Sequence, residues 1–179
     1  MNAADEVAGA IARELSEHAA PMGESEFERL YCATAGPILG YLTAVSGHRD
    51  VAEDLLQETY CRFLAQGPAK AGLEAEAARR YLFRIASNLL RDRWRRGEGQ
   101  PFAEPAEFGV PANFDTPLEI QAMLRHLNPK ERTLLWLAYV EGMDHAEIAA
   151  ATGVGRLSVR TLLLRARKRA RRLLEGELR

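Results

Sequence analysis

The sequence predicts an all-α protein with two helical domains joined by a flexible linker. Apolar residues recur every three or four positions in several segments, and no stretch alternates apolar and polar residues as a strand does. Residues 98–115 lack a helical period and contain several glycines and prolines, as expected for a linker. With 179 residues, we expect a tail over 1–24, one domain over 25–97 and a second over 116–179.

Three helices are predicted in the first domain. Gly36 and Pro37 interrupt the apolar stripe of the first helix, so we expect a kink or two short helices. Asp50 and Glu53 have capping-box spacing and predict the start of the second helix, and the third runs from about 74 to 96. The predicted core positions of the second and third helices are Leu56, Tyr60, Phe63, Leu64, Leu82, Ile85, Ala86 and Leu89.

Two further capping signals lie in the second domain. Asn128, Pro129 and Glu131 combine a cap residue, a proline at the first helical position and a glutamate at the third. Asp144 and Glu147 repeat the capping-box spacing. With a helix that starts near residue 116, these signals predict a four-helix domain.

The last two helices of that domain have the pattern of a helix-turn-helix. Gly153 is expected to end the first of them, because glycine adopts a left-handed C′ conformation at little cost. The second opens near Arg156, and its buried stripe is predicted to be Val159, Leu163, Ala166, Ala170 and Leu173. In a helix-turn-helix, this second helix is the one that reads DNA.

Charge is segregated along the chain although the net charge is only −1. Residues 156–172 contain eight basic residues and no acid, and residues 79–96 contain seven arginines and one acid. Such helices can simply be solvated, but the preceding cap and glycine turn favour DNA reading for the last one. The distribution indicates two separate anion-binding faces.

Two other helix faces have a distinctive composition. One stripe on the second helix is acidic or amide-bearing and is either solvated surface or a docking face for a basic partner; composition alone favours surface. It comprises Asp50, Glu53, Asp54, Gln57 and Glu58. A face of the third helix mixes an aromatic, arginines and an asparagine, which suits unpaired bases and phosphates, although a snorkelling basic helix has the same pattern. It comprises Tyr81, Arg84, Asn88, Arg91 and Arg95.

The sequence contains no pattern that demands catalysis, a cofactor or a metal. Cys32 and Cys61 lack metal-site spacing and are expected to be buried thiols in a reducing cytosol. The four histidines show no metal spacing either. No apolar run approaches the length of a membrane span, and no signal peptide is visible. We therefore expect a cytoplasmic protein that is not an enzyme.

Two blocks of the sequence resemble the extracytoplasmic-function sigma factors of bacteria. The first contains DVAEDLLQETYCRFL and YLFRIASNLLRDRWRR, and the second runs from LNPKERTLLWLAYVEGMDHAEIAAATGV to RARKR. The resemblance covers about residues 27–174 and implies that the protein binds core RNA polymerase, recognises promoter DNA and helps to open it. It also implies an anti-sigma partner, which would hold the protein at the membrane if it were itself membrane-bound.

The resemblance assigns a role to each surface. It makes the acidic stripe the contact with the clamp of the largest polymerase subunit, chiefly through Asp54, Gln57 and Glu58, and the face from Tyr81 to Arg95 the minus-ten element site. It assigns recognition of the minus-thirty-five element to seven residues of the last helix: Arg156, Ser158, Arg160, Thr161, Leu164, Arg165 and Lys168.

The sequence departs from the family pattern at three places. Leu162 and Leu164 replace an arginine and a polar or aromatic residue of the reading helix. The loop at 67–78 lacks the usual Phe-x-Gly pattern. These departures keep three alternatives open: a sigma-like binding module that does not initiate transcription, a helix-turn-helix repressor and, more remotely, a small helical enzyme.

Overall fold

The computed structural model describes residues 22–66, 74–97 and 123–177, and over these ranges the protein is helical with no strand. The helices are α1 (Glu24–Ser46), α2 (Arg49–Ala65), α3 (Ala75–Arg95), α4 (Pro129–Tyr139), α5 (His145–Thr152) and α6 (Arg156–Glu177). None of the helices in these ranges has the length and apolar character that crossing a membrane requires. The predicted tail up to residue 21, the linker over 98–115 and residues 116–122 lie outside the described residues.

Helices α1, α2 and α3 form the N-terminal unit, whose core is made of apolar side chains from all three. Of the eight core positions predicted on α2 and α3, seven are buried, but Leu64 is 48% exposed. Both cysteines are also exposed, so their predicted burial was wrong. The helical period alone does not determine the burial of such residues, because side chains at the edge of an apolar stripe contact the core only if a neighbouring helix extends over them.

The first helix is continuous through Pro37, so the prediction of two short helices was wrong. Proline removes one backbone hydrogen bond and costs about 3 kcal/mol in a helix interior. Directly after it, Ile38, Tyr41 and Leu42 are completely buried. Their burial, at about 1.5–3 kcal/mol for each large side chain, outweighs the local penalty.

The predicted start of α2 was also incorrect. The cap residue is His48, whose side chain makes no capping hydrogen bond, and the helix begins at Arg49. Asp50 therefore lies inside the first turn, where its carboxylate faces the positive end of the helix dipole. The glutamate of the expected capping box, Glu53, instead accepts a 2.8 Å hydrogen bond from Arg49 Nε.

Helices α4, α5 and α6 form the C-terminal unit, and its predicted capping signals are confirmed. Asn128 with Glu131 and Asp144 with Glu147 both form complete capping boxes. The backbone amides that bind its carboxylate lower the pKa of Asp144. Gly153 ends α5 with φ of 68°, and α6 follows after a short turn, so the helix-turn-helix geometry is present.

The two units pack directly against each other, with α4 against α1 and α5 against α3. At the centre of this contact lies Arg132, which is only 1% exposed. Its guanidinium donates to the Leu127 carbonyl at 2.7 and 2.9 Å and to the Val45 carbonyl of α1 at 3.2 Å. A charged side chain of α4 thus satisfies a carbonyl in the last turn of α1, where no helical amide is available.

Candidate nucleic-acid and partner surfaces

The face predicted on α3 for the minus-ten element is present but is partly engaged within the chain. Arg84 and Arg95 are exposed, and Arg95 is paired with Asp92 at 3.1 Å. Tyr81 is half-buried against Phe63 and donates its hydroxyl hydrogen to Gln66 Oε1. Its ring therefore packs at the edge of the core while part of the side chain stays accessible to solvent.

The other two residues of that face, Asn88 and Arg91, contact each other and the helix-turn-helix. Arg91 donates Nη2 to Asn88 Oδ1 and Nη1 to the carbonyl of Thr152 at the end of α5. A carbonyl at a helix C-terminus is a favourable acceptor for a guanidinium, because the helix dipole places negative charge there. These two hydrogen bonds use two of the five N–H donors of Arg91 and fix its orientation beside the helix-turn-helix.

Two more arginines of α3 join the units, and sequence analysis did not foresee their role. Arg79 donates to Glu141 Oε2, and Arg80 to Glu147 Oε1. Burial raises the pKa of Glu141, whose other oxygen accepts a 2.9 Å hydrogen bond from the indole of Trp136. Partners 62 and 67 residues apart leave no local signal in the sequence.

We call the contacts that Arg79, Arg80, Arg91 and Arg132 make between the two units the seam. A cavity of about 340 Å³ lies along it, between α3, α4 and α5. Trp94 and Arg91 line one side of this cavity and Lys130 the other. Trp94 is half-buried and packs against the core.

The acidic stripe of α2 lies on the surface, as composition alone predicted. All five members are exposed. Glu53 and Glu58 form ion pairs one helical turn away, with Arg49 and Arg62. Surface pairs of this kind contribute little to stability, so the stripe is not needed to hold the fold together.

The face predicted for upstream DNA on α6 is also exposed. Arg156, Ser158, Arg160, Thr161, Leu164, Arg165 and Lys168 all reach solvent, while Val159, Leu163, Ala166 and Ala170 are buried on the opposite side. Leu162 is half-buried and packs against the edge of the core. Of the two leucines that depart from the family pattern, Leu164 therefore faces solvent and Leu162 mainly contacts protein.

No group of three or more histidine, cysteine or acidic side chains in the described ranges is placed to hold a metal ion. The buried hydroxyl of Tyr41 is hydrogen-bonded to Ser87 at 2.8 Å, and burial raises the pKa of Tyr41 to about 12. This tyrosine joins α1 to α3 in the core and has no access to a substrate. The described arrangement offers charged and aromatic surfaces for binding macromolecules.

The fold defines the class of the protein: an all-α chain with a helical bundle followed by a helix-turn-helix unit. The family model described as sigma-70, region 4 matches residues 118–169. The chain is 32% identical to the extracytoplasmic-function sigma factor SigE of Mycolicibacterium smegmatis, over 71% of this chain and 53% of SigE. It is 29% identical to the sigma factor CarQ of Myxococcus xanthus, over 87% of this chain and 92% of CarQ.

A solved structure shares the fold. The sigma factor RpoE of Bartonella quintana, crystallised with the anti-sigma factor NepR, matches with a TM-score of 0.63 and 22% identity, over 84% of this chain and 97% of RpoE. The chain spans about half the length of SigE but most of CarQ. The chain is thus similar to extracytoplasmic-function sigma factors over most of its length, and its C-terminal unit matches region 4 of the sigma-70 family, a family of DNA-binding regulators of transcription.

Proposed function

We propose that this protein binds core RNA polymerase, recognises promoter DNA and helps to open it for initiation, while polymerase carries out the covalent chemistry. One observation carries the proposal: an exposed acidic stripe and an exposed basic reading helix occur on separate surfaces of one chain. A repressor with a helix-turn-helix has no need of the acidic stripe. Similarity to extracytoplasmic-function sigma factors supports the same function.

The acidic stripe of α2 is the proposed contact with the polymerase clamp. Asp50, Glu53, Asp54, Gln57 and Glu58 project to solvent at i, i+3, i+4, i+7 and i+8. Complementary charge across an interface accelerates encounter and fixes orientation. Because two of these acids are already paired with arginines of α2, the partner must supply cations that compete with them.

The face of α3 is the proposed site for the unpaired minus-ten strand. Tyr81 provides a ring for stacking, which contributes about 1–3 kcal/mol per base, and Arg84 and Arg95 provide exposed cations for phosphates. Asn88 provides an amide for the edge of an extruded base. Extrusion of a base costs a few kcal/mol, which stacking and these polar contacts can offset.

The exposed face of α6 is the proposed site for the minus-thirty-five element. Its arginines and lysine can bind phosphates or pair with guanine in the major groove. An anti-sigma factor is a further proposed partner, because the fold neighbour RpoE was crystallised with one. Such a partner would also hold this protein at the membrane if it carried a membrane anchor.

The experiment that tests the function is reconstitution with purified core RNA polymerase and a library of promoter fragments. We expect transcripts that start at defined positions and depend on the added protein. Asp54→Arg combined with Glu58→Arg should abolish binding to polymerase, because charge reversal turns attraction into repulsion.

The matched control reverses two other exposed acids at the same i, i+4 spacing, Glu24→Arg with Glu28→Arg on α1. This control should bind polymerase as the unmodified protein does. If Asp54→Arg with Glu58→Arg retains full binding, the stripe is not the polymerase contact. If the unmodified protein yields no specific transcript, the proposed function is wrong.

A further inference from the structure

The reading helix carries an exposed row of methyl-bearing side chains that basic residues alone do not explain. Leu157 is 93% exposed, although leucine usually lies inside proteins. Leu164, seven residues on, is 46% exposed, and Thr161 between them is also exposed. We call Leu157, Thr161 and Leu164 the methyl row.

The methyl row points directly away from the protein. At 100° per residue, its members lie within about 60° of one another and opposite the buried stripe that starts at Val159. Arg160 lies on one side of the row and Arg165 on the other, and Lys168 extends it by one turn. An apolar strip of this kind, with cations on both flanks, matches a groove whose walls are phosphates and whose floor carries methyl groups.

We propose that the methyl row reads thymine C5-methyl groups in the major groove of the upstream promoter element, with Leu157 and Leu164 as specificity-determining residues. This inference rests on the proposed function of α6 as the reader of that element. Seven residues of helix span about 10.5 Å, or about three base-pair steps of 3.4 Å. Leu157 and Leu164 therefore contact thymines about three base pairs apart, with Thr161 over the step between them.

The charge around the row favours DNA over a protein partner. Residues 156–172 contain eight basic residues and no acid, and Glu175 is the first acid after them. A protein surface that covered the row would have to neutralise cations on both flanks, whereas a DNA groove does so with its two phosphate backbones. Protein contact is retained as an outcome of the test.

The test uses the full-length protein bound to purified core RNA polymerase. Binding sequences are first selected from duplexes with ten randomised base pairs at the upstream position. Each thymine of the selected duplex is then replaced singly by deoxyuridine, which keeps the base pair and removes only the methyl group. At two thymines about three base pairs apart, affinity should fall about fourfold, equivalent to about 0.8 kcal/mol for one buried methyl group.

Variants assign each thymine to its side chain. Leu157→Ala should abolish the effect of deoxyuridine at one thymine, and Leu164→Ala should abolish it at the other. Both side chains are exposed on a helix, where alanine is well tolerated, so the fold should persist. The control is Leu64→Ala, which removes from α2 a leucine about as exposed as Leu164. This variant should keep the effect of deoxyuridine at both thymines.

Three results would overturn the inference. Equal affinity for thymine and deoxyuridine at every position, with binding that still weakens as salt rises, would refute methyl reading but leave the proposed DNA-binding function intact. Unchanged methyl discrimination in both leucine variants, with weaker polymerase binding, would assign the row to a protein contact. If no sequence is enriched at all, the proposed function and this inference both fail.

Discussion

Replacing Arg132 by methionine should destabilise the protein and loosen the seam. Methionine keeps an unbranched apolar stem but is shorter, and it removes the guanidinium, which is buried between α4 and the end of α1. The substitution therefore tests the hydrogen bonds of the guanidinium, and the space that the guanidinium leaves adds a packing cost in the same direction.

The magnitude follows from the acceptors that lose their donor. The Leu127 carbonyl accepts at 2.7 and 2.9 Å and the Val45 carbonyl at 3.2 Å. Hydrogen bonds from a charged donor contribute about 1.5–3 kcal/mol, so two acceptors account for about 3–6 kcal/mol. Burial lowers the pKa of Arg132 to about 9, which leaves it charged at neutral pH but at a desolvation cost. Since the substitution removes that cost, we expect a net loss of about 2–4 kcal/mol.

The measurement is the free energy of unfolding by urea, together with hydrogen exchange of the last turn of α1. Arg132→Lys keeps the charge but cannot bind both carbonyls with a planar fork, so its stability should fall between wild type and Arg132→Met. The control Arg49→Met disrupts only an exposed ion pair and should cost less than about 1 kcal/mol. If Arg132→Met is within about 0.5 kcal/mol of wild type, the guanidinium does not stabilise the seam and the reasoning is wrong.

Five further substitutions test other parts of the structure. Gly153→Ala should cost about 1 kcal/mol in thermal unfolding, because φ is 68° and the added Cβ would lie 2.7 Å from an arginine nitrogen; wild-type stability would contradict this. Asp144→Ala should cost about 1 kcal/mol by removing a helix cap, and an unchanged melting temperature would refute it. Burial raises the pKa of Glu141 above its ordinary 4.5. The protonated side chain therefore adds fully to the free energy of unfolding below pH 4.5, and this stabilisation is lost as pH rises through the raised pKa. Glu141→Gln should remove this part of the pH dependence of unfolding, and parallel curves for the two proteins would disprove it. Asn88→Ala and Tyr81→Ala should impair promoter opening more than duplex binding, and normal permanganate reactivity of promoter thymines in both variants would exclude that role.

Most features decided by nearby residues were predicted correctly from the sequence, although the capping box expected at Asp50 and Glu53 was not. The capping boxes at Asn128 and Asp144 and the left-handed glycine at 153 depend on two to four consecutive positions, and all three are present. The buried stripe of α6 was predicted because its apolar residues recur every three or four positions over several turns of one helix. The roles assigned to the exposed faces stay predictions until the binding experiments above are done.

Features decided by distant residues were missed. Of the kink or two short helices expected at Pro37, the two short helices are absent because tertiary packing of the following residues stabilises a continuous helix. No residue near Arg132 in the sequence indicates its burial, because its guanidinium binds the carbonyl of Val45 in α1, 87 residues earlier. The position of Leu157 outside the buried stripe does not show how far its side chain extends into solvent. Its almost complete exposure is known only from the folded structure.

Two of the seam contacts, those of Arg132 and Arg91, should tolerate amino-acid replacement unequally on their two sides, unlike the Arg79 and Arg80 pairs, whose acceptors are glutamate side chains. Arg132 and Arg91 bind main-chain oxygens of Val45, Leu127 and Thr152, which every amino acid carries. The accepting segments can therefore change side chains and still receive the same hydrogen bonds, provided that their backbone path is kept. The donors have no such freedom, because no other side chain offers a planar, permanently charged fork. Substitutions should thus accumulate along the ends of α1 and α5 while these two arginines stay fixed.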